Sequence, residues 1–172
     1  MANNDDELIE RVRRASVAEH ERHVLETQTG IRDAAMLEQL QELGFTPATI
    51  PLLPLIPVLQ VAWAEGGVSV AERTAILNLA RSRGIEVGSD ADYQLVEWLD
   101  RRPSGETFHQ ATRLVAAMVE HPGEGFDDMT ADDLLKYCEQ IAHASGGIFG
   151  IGALSEGERK ALEQIAVQLK TR

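Results

Sequence analysis

The sequence predicts an all-α fold of about eight helices, and three observations carry that prediction. Glycine and proline punctuate the 172 residues into segments of helical length. Five of those segments open on serine or threonine, whose hydroxyls accept hydrogen bonds from first-turn amides. No stretch alternates apolar and polar residues with β-branched enrichment, so no strand is expected.

Asp5 to about Gln28 reads as a long, charged helix closed by Gly30 as a left-handed cap. Its apolar residues are sparse (Leu8, Ile9, Val12, Ala15, Val24, Leu25), so it needs a partner stripe from the rest of the chain or from a second copy. Ile31 to Leu43 is a second helix, ended by Gly44. Pro47, Pro51, Pro54 and Pro57 then fall within eleven apolar-rich residues, which predicts an extended or turn-rich entry to a buried helix reaching Glu65. That helix is apolar nearly all round through Val58, Leu59, Val61, Ala62, Trp63 and Ala64, as a central core helix should be.

Five helices follow: Ser69 to Arg83, Ser89 to about Arg101, Ser104 to Glu120, Thr130 to Ser145 and Ser155 to Lys170. In three of them we read an acid placed to complete a capping box: Ser69/Glu72, Ser155/Glu158 and, in a looser version, Thr130/Asp133.

The formal net charge is −12, which repels phosphate backbones and anionic lipid, so nucleic acid is not an expected partner. No transmembrane segment is expected, and membrane association would come only through a partner. The acidic opening, Met-Ala-Asn-Asn-Asp-Asp-Glu, is not a secretory signal in type, and the lone Cys138 suits a reducing compartment, so a cytoplasmic setting is expected. There is no Gly-x-Ser-x-Gly, Walker loop or Rossmann fingerprint. No constellation supports catalysis, and the expectation is a protein that is not an enzyme.

Two segments repeat. Ala62-Trp63-Ala64-Glu65-Gly66-Gly67-Val68-Ser69-Val70-Ala71-Glu72-Arg73 aligns with Ala142 to Gly147 followed by Leu154 to Arg159, once the six residues Ile148 to Ala153 are set aside. Gly66-Gly67 falls on Gly146-Gly147, Ser69 on Ser155, and Glu72-Arg73 on Glu158-Arg159. This predicts an internal duplication of a helical hairpin.

The run Ala64-Glu65-Gly66-Gly67-Val68-Ser69-Val70-Ala71-Glu72 resembles the Ala-Asp-Gly-x-Val-Ser-x-x-Glu signature of TerB-like proteins, the tellurite-resistance-associated helical domains. The resemblance runs from about Leu52 to Lys170 and includes the glycine-rich turn Gly146 to Gly152. It implies an all-helical domain linked to bacterial stress and tellurite responses, with divalent-cation binding through the motif acids and a membrane-associated multi-protein role. It also implies a division into a two-helix arm, 1–44, and a TerB-like domain, 45–172. The chain departs from the signature in carrying Glu65 for aspartate and Ser145 at the matching place of the second repeat, which leaves each repeat a partial ligand set.

Candidate sites follow. Glu65 and Glu72 flank a tight turn, and with turn carbonyls they could hold Ca2+ or Mg2+ weakly. Their structural role would be a capping box from Glu72 and charge from Glu65 at the same helix start. Glu19, His23 and Glu26 share a helix face near His20, a zinc or iron set in type but a surface salt cluster by the same spacing. His109, His121 and His143 are isolated, and Cys138 sits among apolar neighbours as a buried thiol. Ile148, Phe149 and Ile151 form an apolar loop that is either a plug over the core or a contact for a partner. The combined expectation is a non-catalytic helical interaction or scaffold module of a bacterial stress-response type, self-associating through the arm or the apolar loop. The alternative is a divalent-cation-binding stress protein using Glu65 and Glu72.

Overall fold

A computed structural model describes residues 2–144 and 154–170, and over these residues the chain is a bundle of eight α-helices without a strand. They are α1 Ala2–Thr29, α2 Ala34–Glu42, α3 Ile56–Ala62, α4 Val70–Ser82, α5 Asp90–Asp100, α6 Gly105–Glu120, α7 Ala131–Ala144 and α8 Glu156–Lys170. Ile148, Phe149, Ile151 and the second Gly-Gly pair lie outside the described residues.

The core is built round α3. Ile56, Val58, Leu59, Val61 and Ala62 are all buried, and α3 packs against α4, α6, α7 and α8. A helix that is apolar on every side has to be surrounded, and this one is. α7 packs in turn on α4 and α8, so the α3–α4 and α7–α8 hairpins meet over a shared face. Leu25 of α1, together with Leu37 and Leu40 of α2, joins the same apolar cluster.

The proline-rich entry differs from the sequence expectation. Ile50–Leu55 is neither extended nor turn-like but a 3₁₀ helix that runs directly into α3. Pro51, Pro54 and Pro57 recur every third residue, which is the 3₁₀ repeat. Their rings therefore fall on one side, and the fixed proline φ suits the helical backbone. The segment is buried through Ile50, Leu52, Leu53 and Leu55.

The helix starts follow from their caps. Ser69, Ser89 and Ser104 hydroxyls accept from the amides of Glu72, Asp92 and Thr107 at 3.1, 3.2 and 3.1 Å. Thr130/Asp133, expected as a loose box, is a reciprocal one: the Asp133 amide donates to Thr130 Oγ1 at 3.1 Å and the Thr130 amide to Asp133 Oδ2 at 3.2 Å. α2 starts at Ala34 rather than Ile31, because the Asp33 carboxylate accepts from the Met36 amide at 3.1 Å and holds its own backbone extended. A fourth acid stands at box spacing, Asp92 after Ser89, outside the three expected boxes. Its carboxylate accepts from the Gly88 amide at 2.9 Å and from Arg81 Nη2 at 2.7 Å, clamping the α4–α5 connection.

The end of α1 is sealed by a distant loop. Gly30 takes φ +77°. The amides of Glu124 and Gly125 then donate to the carbonyls of Thr27 and Gln28, each at 3.1 Å. Those carbonyls have no partner within their own helix, so the loop after α6 does the work of a C-cap.

Candidate functional site

At the Glu65–Glu72 turn, α3 gives way to a 3₁₀ turn, Trp63–Glu65, and Gly66 reverses the chain at φ +89°. Ser69 and Glu72 then close the expected box: the Ser69 amide donates to Glu72 Oε1 at 2.9 Å. Glu72 is buried, 4% exposed, while Glu65 is exposed.

Glu65 reaches a second helix. Its Oε1 lies 2.6 Å from where a Cβ on Gly157 would stand, in the first turn of α8. Glycine at 157 leaves room for that approach, and the carboxylate sits by the positive end of α8. Sequence spacing places this charge at the start of α4 alone. The pairing with α8 is tertiary and has no local signal.

The start of α8 is itself boxed in pattern, with the Glu158 amide donating to Ser155 Oγ at 3.1 Å and Glu158 buried. Glu72, Glu158 and Glu65 are therefore electrostatic neighbours. Burial pushes the Glu72 carboxyl above its usual range; the two hydrogen bonds with Ser69 pull it back, and Glu158 and Glu65 push it up further. The Glu72 carboxylate is already engaged by the Ser69 amide, and among the described residues no group of three or more histidines, cysteines or acids is arranged to hold a metal ion. His20 and His23 are exposed on α1.

The raised pKa carries a sign. Ionised Glu72 is disfavoured in the folded state, so stability from its protonated form is full below the ordinary carboxylate value of 4.5 and is lost as pH rises through the raised one. Glu72→Gln keeps an acceptor for the Ser69 amide without the charge. At pH 7 it is expected to melt at or above the parent, whereas Glu72→Ala is expected to lose about 0.5–2 kcal/mol with the cap. The gap between Gln and parent should close in acid. Melts at pH 4 and 7 check both signs.

Cys138 is fully buried, and burial pushes its thiol up to about 12, so it stays protonated. Among the grooves with the size of a reaction site are two that carry a hydroxyl or a histidine on their walls. One, about 980 Å³, lies where the end of α1 meets the loop after α6; Thr27, the hydroxyl on its wall, donates to the His23 carbonyl. The other, about 630 Å³, lies between α3, α6 and α8, and its histidine, His109, is hydrogen-bonded to Gln168 at 2.9 Å. The Thr27 hydroxyl is thus spent on a backbone carbonyl, and the described residues of the second wall include no serine, threonine or cysteine to act as a nucleophile.

The second predicted place of contact is α1. From Ala18 onward it docks on α2: Gln41 Nε2 donates to the Ala18 carbonyl at 2.9 Å, Arg22 Nε donates to Gln41 Oε1 at 3.2 Å, and Leu25 is fully buried. Before Ala18 it projects. Residues 3–17 are exposed apart from half-buried Glu10. Leu8, Ile9 and Val12 are 60%, 66% and 60% exposed. At about 100° per residue these three form one stripe, turned roughly a quarter of a circle or more from the docked Ala18 and Leu25, and Ala15 lies between the stripe and that docked face. Leu8, Ile9 and Val12 therefore face another way than Ala18 and Leu25 do.

Comparison with protein-family models, with characterised proteins and with solved structures finds no match to this chain. The likeness to the TerB-like signature rests on residues 64–72 and the repeat themselves. No described helix is long and apolar enough to cross a membrane.

Proposed function

We propose that this protein is a non-catalytic helical interaction module that self-associates through the projecting half of α1. One observation carries the reading: a helix of 28 residues, about 42 Å long, has its second half fixed to the bundle and its first half held out with Leu8, Ile9 and Val12 uncovered. Scattered exposed apolar residues are ordinary on a protein surface, but a stripe on a projecting helix is the surface that a second helix covers. The TerB-like signature at Ala64 to Glu72 supports a bacterial stress-response setting.

The alternative, a divalent-cation-binding stress protein using Glu65 and Glu72, draws on the signature turn alone, where the Ser69 amide already engages Glu72. It requires Ca2+ or Mg2+ to raise the melting temperature of the parent and not of Glu72→Gln. The interaction reading is tested by replacing Leu8, Ile9 and Val12 with serine in the full chain. Melting is expected to hold while association is lost.

A further inference from the structure

Resting on that reading, we infer that the partner of the stripe is the same stripe on a second copy, laid antiparallel with Leu8 level with Val12. The orientation follows from the order of charges. Asp5, Asp6 and Glu7 precede the apolar residues, and Arg11, Arg13 and Arg14 follow or flank them. A parallel pair would set the three acids against the same three acids, and the arginines against arginines. Like charges side by side oppose pairing, and opposite charges set register.

An antiparallel pair centred at the level of residue 10 reverses this. Leu8 then faces Val12 of the second copy, and Asp5 is level with its Ala15. Asp6 and Arg13 are seven residues apart, so they lie on one side of the helix, next to the stripe. Across the two-fold, Asp6 of one copy comes beside Arg13 of the other. Glu7 and Arg11, four apart, occupy the opposite side, where Glu7 comes towards Arg11 of the other copy. Symmetry makes each pair twice.

In the monomer Arg13 shares a single acid with Arg14, and the other three groups are unpaired among the described residues. Arg13 and Arg14 both turn to Glu10, at 3.2 and 3.5 Å, while Asp6, Glu7 and Arg11 make no ion pair among the described residues. The apolar contact is short, so the complex belongs to the small, transient class, weakened by salt.

Disulfide trapping tests the arrangement. Leu8→Cys and Val12→Cys are made separately in the full chain, mixed, and oxidised; Cys138 is buried and does not compete. The antiparallel pair predicts the mixed 8–12 product. It predicts little 8–8 or 12–12 product, because like positions are then separated by more than the roughly 7 Å between Cα atoms that a disulfide spans. Predominant 8–8 and 12–12 products would overturn the inference and leave self-association standing. A parent chain that sediments as a monomer at all concentrations would overturn both.

A charge exchange gives an independent reading. Asp6→Arg with Glu7→Arg in one chain, and Arg11→Glu with Arg13→Glu in another, should each weaken self-association at least tenfold. Their equimolar mixture should recover it. Unchanged association in the single variants would show that the charges do not set the pair.

Discussion

Gly30→Ala is expected to cost about 3 kcal/mol, a drop of roughly 6–12 °C in melting temperature for a domain of this size. Two penalties combine. At φ +77° any side chain is strained, which by itself is worth about 1 kcal/mol. A Cβ there would also run into the carbonyl of His121 and stand 2.7 Å from the Gly123 amide nitrogen. Both obstacles are backbone, and the same loop donates to the last carbonyls of α1, so it cannot withdraw without breaking those hydrogen bonds. Gly44 is the control. It has φ +93°, and a Cβ added there would meet nothing within 4 Å, so Gly44→Ala should cost only the conformational part. Equal losses at the two positions, measured by thermal melts, would remove the loop-to-α1 contact as a source of stability.

Asp92→Asn is expected to cost about 2 kcal/mol at pH 7, the scale of hydrogen bonds to a charged group that is withdrawn from water. Asp92 is 6% exposed and joins the Gly88 amide to Arg81, which also donates to the Ile85 carbonyl at 3.0 Å. The Gly88 amide, and then Arg81, hold the carboxyl below its ordinary value of 3.8. For a lowered acid the stability is present above the ordinary value and is lost as pH falls through the lowered one. The difference between parent and variant should therefore be constant near neutrality and shrink in acid below 3.8, opposite in direction to Glu72. A gap that stays the same down to full protonation would contradict the clamp.

What could be read in the sequence was what is local. Ser69/Glu72 and Thr130/Asp133 act over three residues, and their hydrogen bonds form where the spacing placed them. The all-round apolar run from Val58 marked the central helix because no other position in a bundle accommodates it. The every-third-residue prolines are visible too, but an extended reading gives weight to the residue-before-proline restriction and overlooks the match to a 3₁₀ repeat.

Tertiary pairings were not legible. Nothing near Thr27 signals that Glu124 will cap it, and nothing near Glu65 signals Gly157. Asp92 shows the intermediate case: its spacing from Ser89 was readable, its bond to Arg81 was not. The projecting half of α1 was legible as a helix without enough apolar surface. That it stands clear of the bundle depends on where α2 catches it, at Ala18 through Gln41.

If the Leu8, Ile9 and Val12 stripe serves association and not folding, one paired measurement shows it. The full chain and its Leu8→Ser, Ile9→Ser, Val12→Ser variant are compared by sedimentation velocity over a concentration series, with a thermal melt of each in the dilute limit. Residues that are 60–66% exposed contribute little to the core, so the account predicts dilute-limit melting temperatures within about 2 °C of each other. It also predicts a parent whose sedimentation coefficient rises with concentration and a variant that remains a monomer. A variant that melts well below the parent yet associates as the parent does would contradict it.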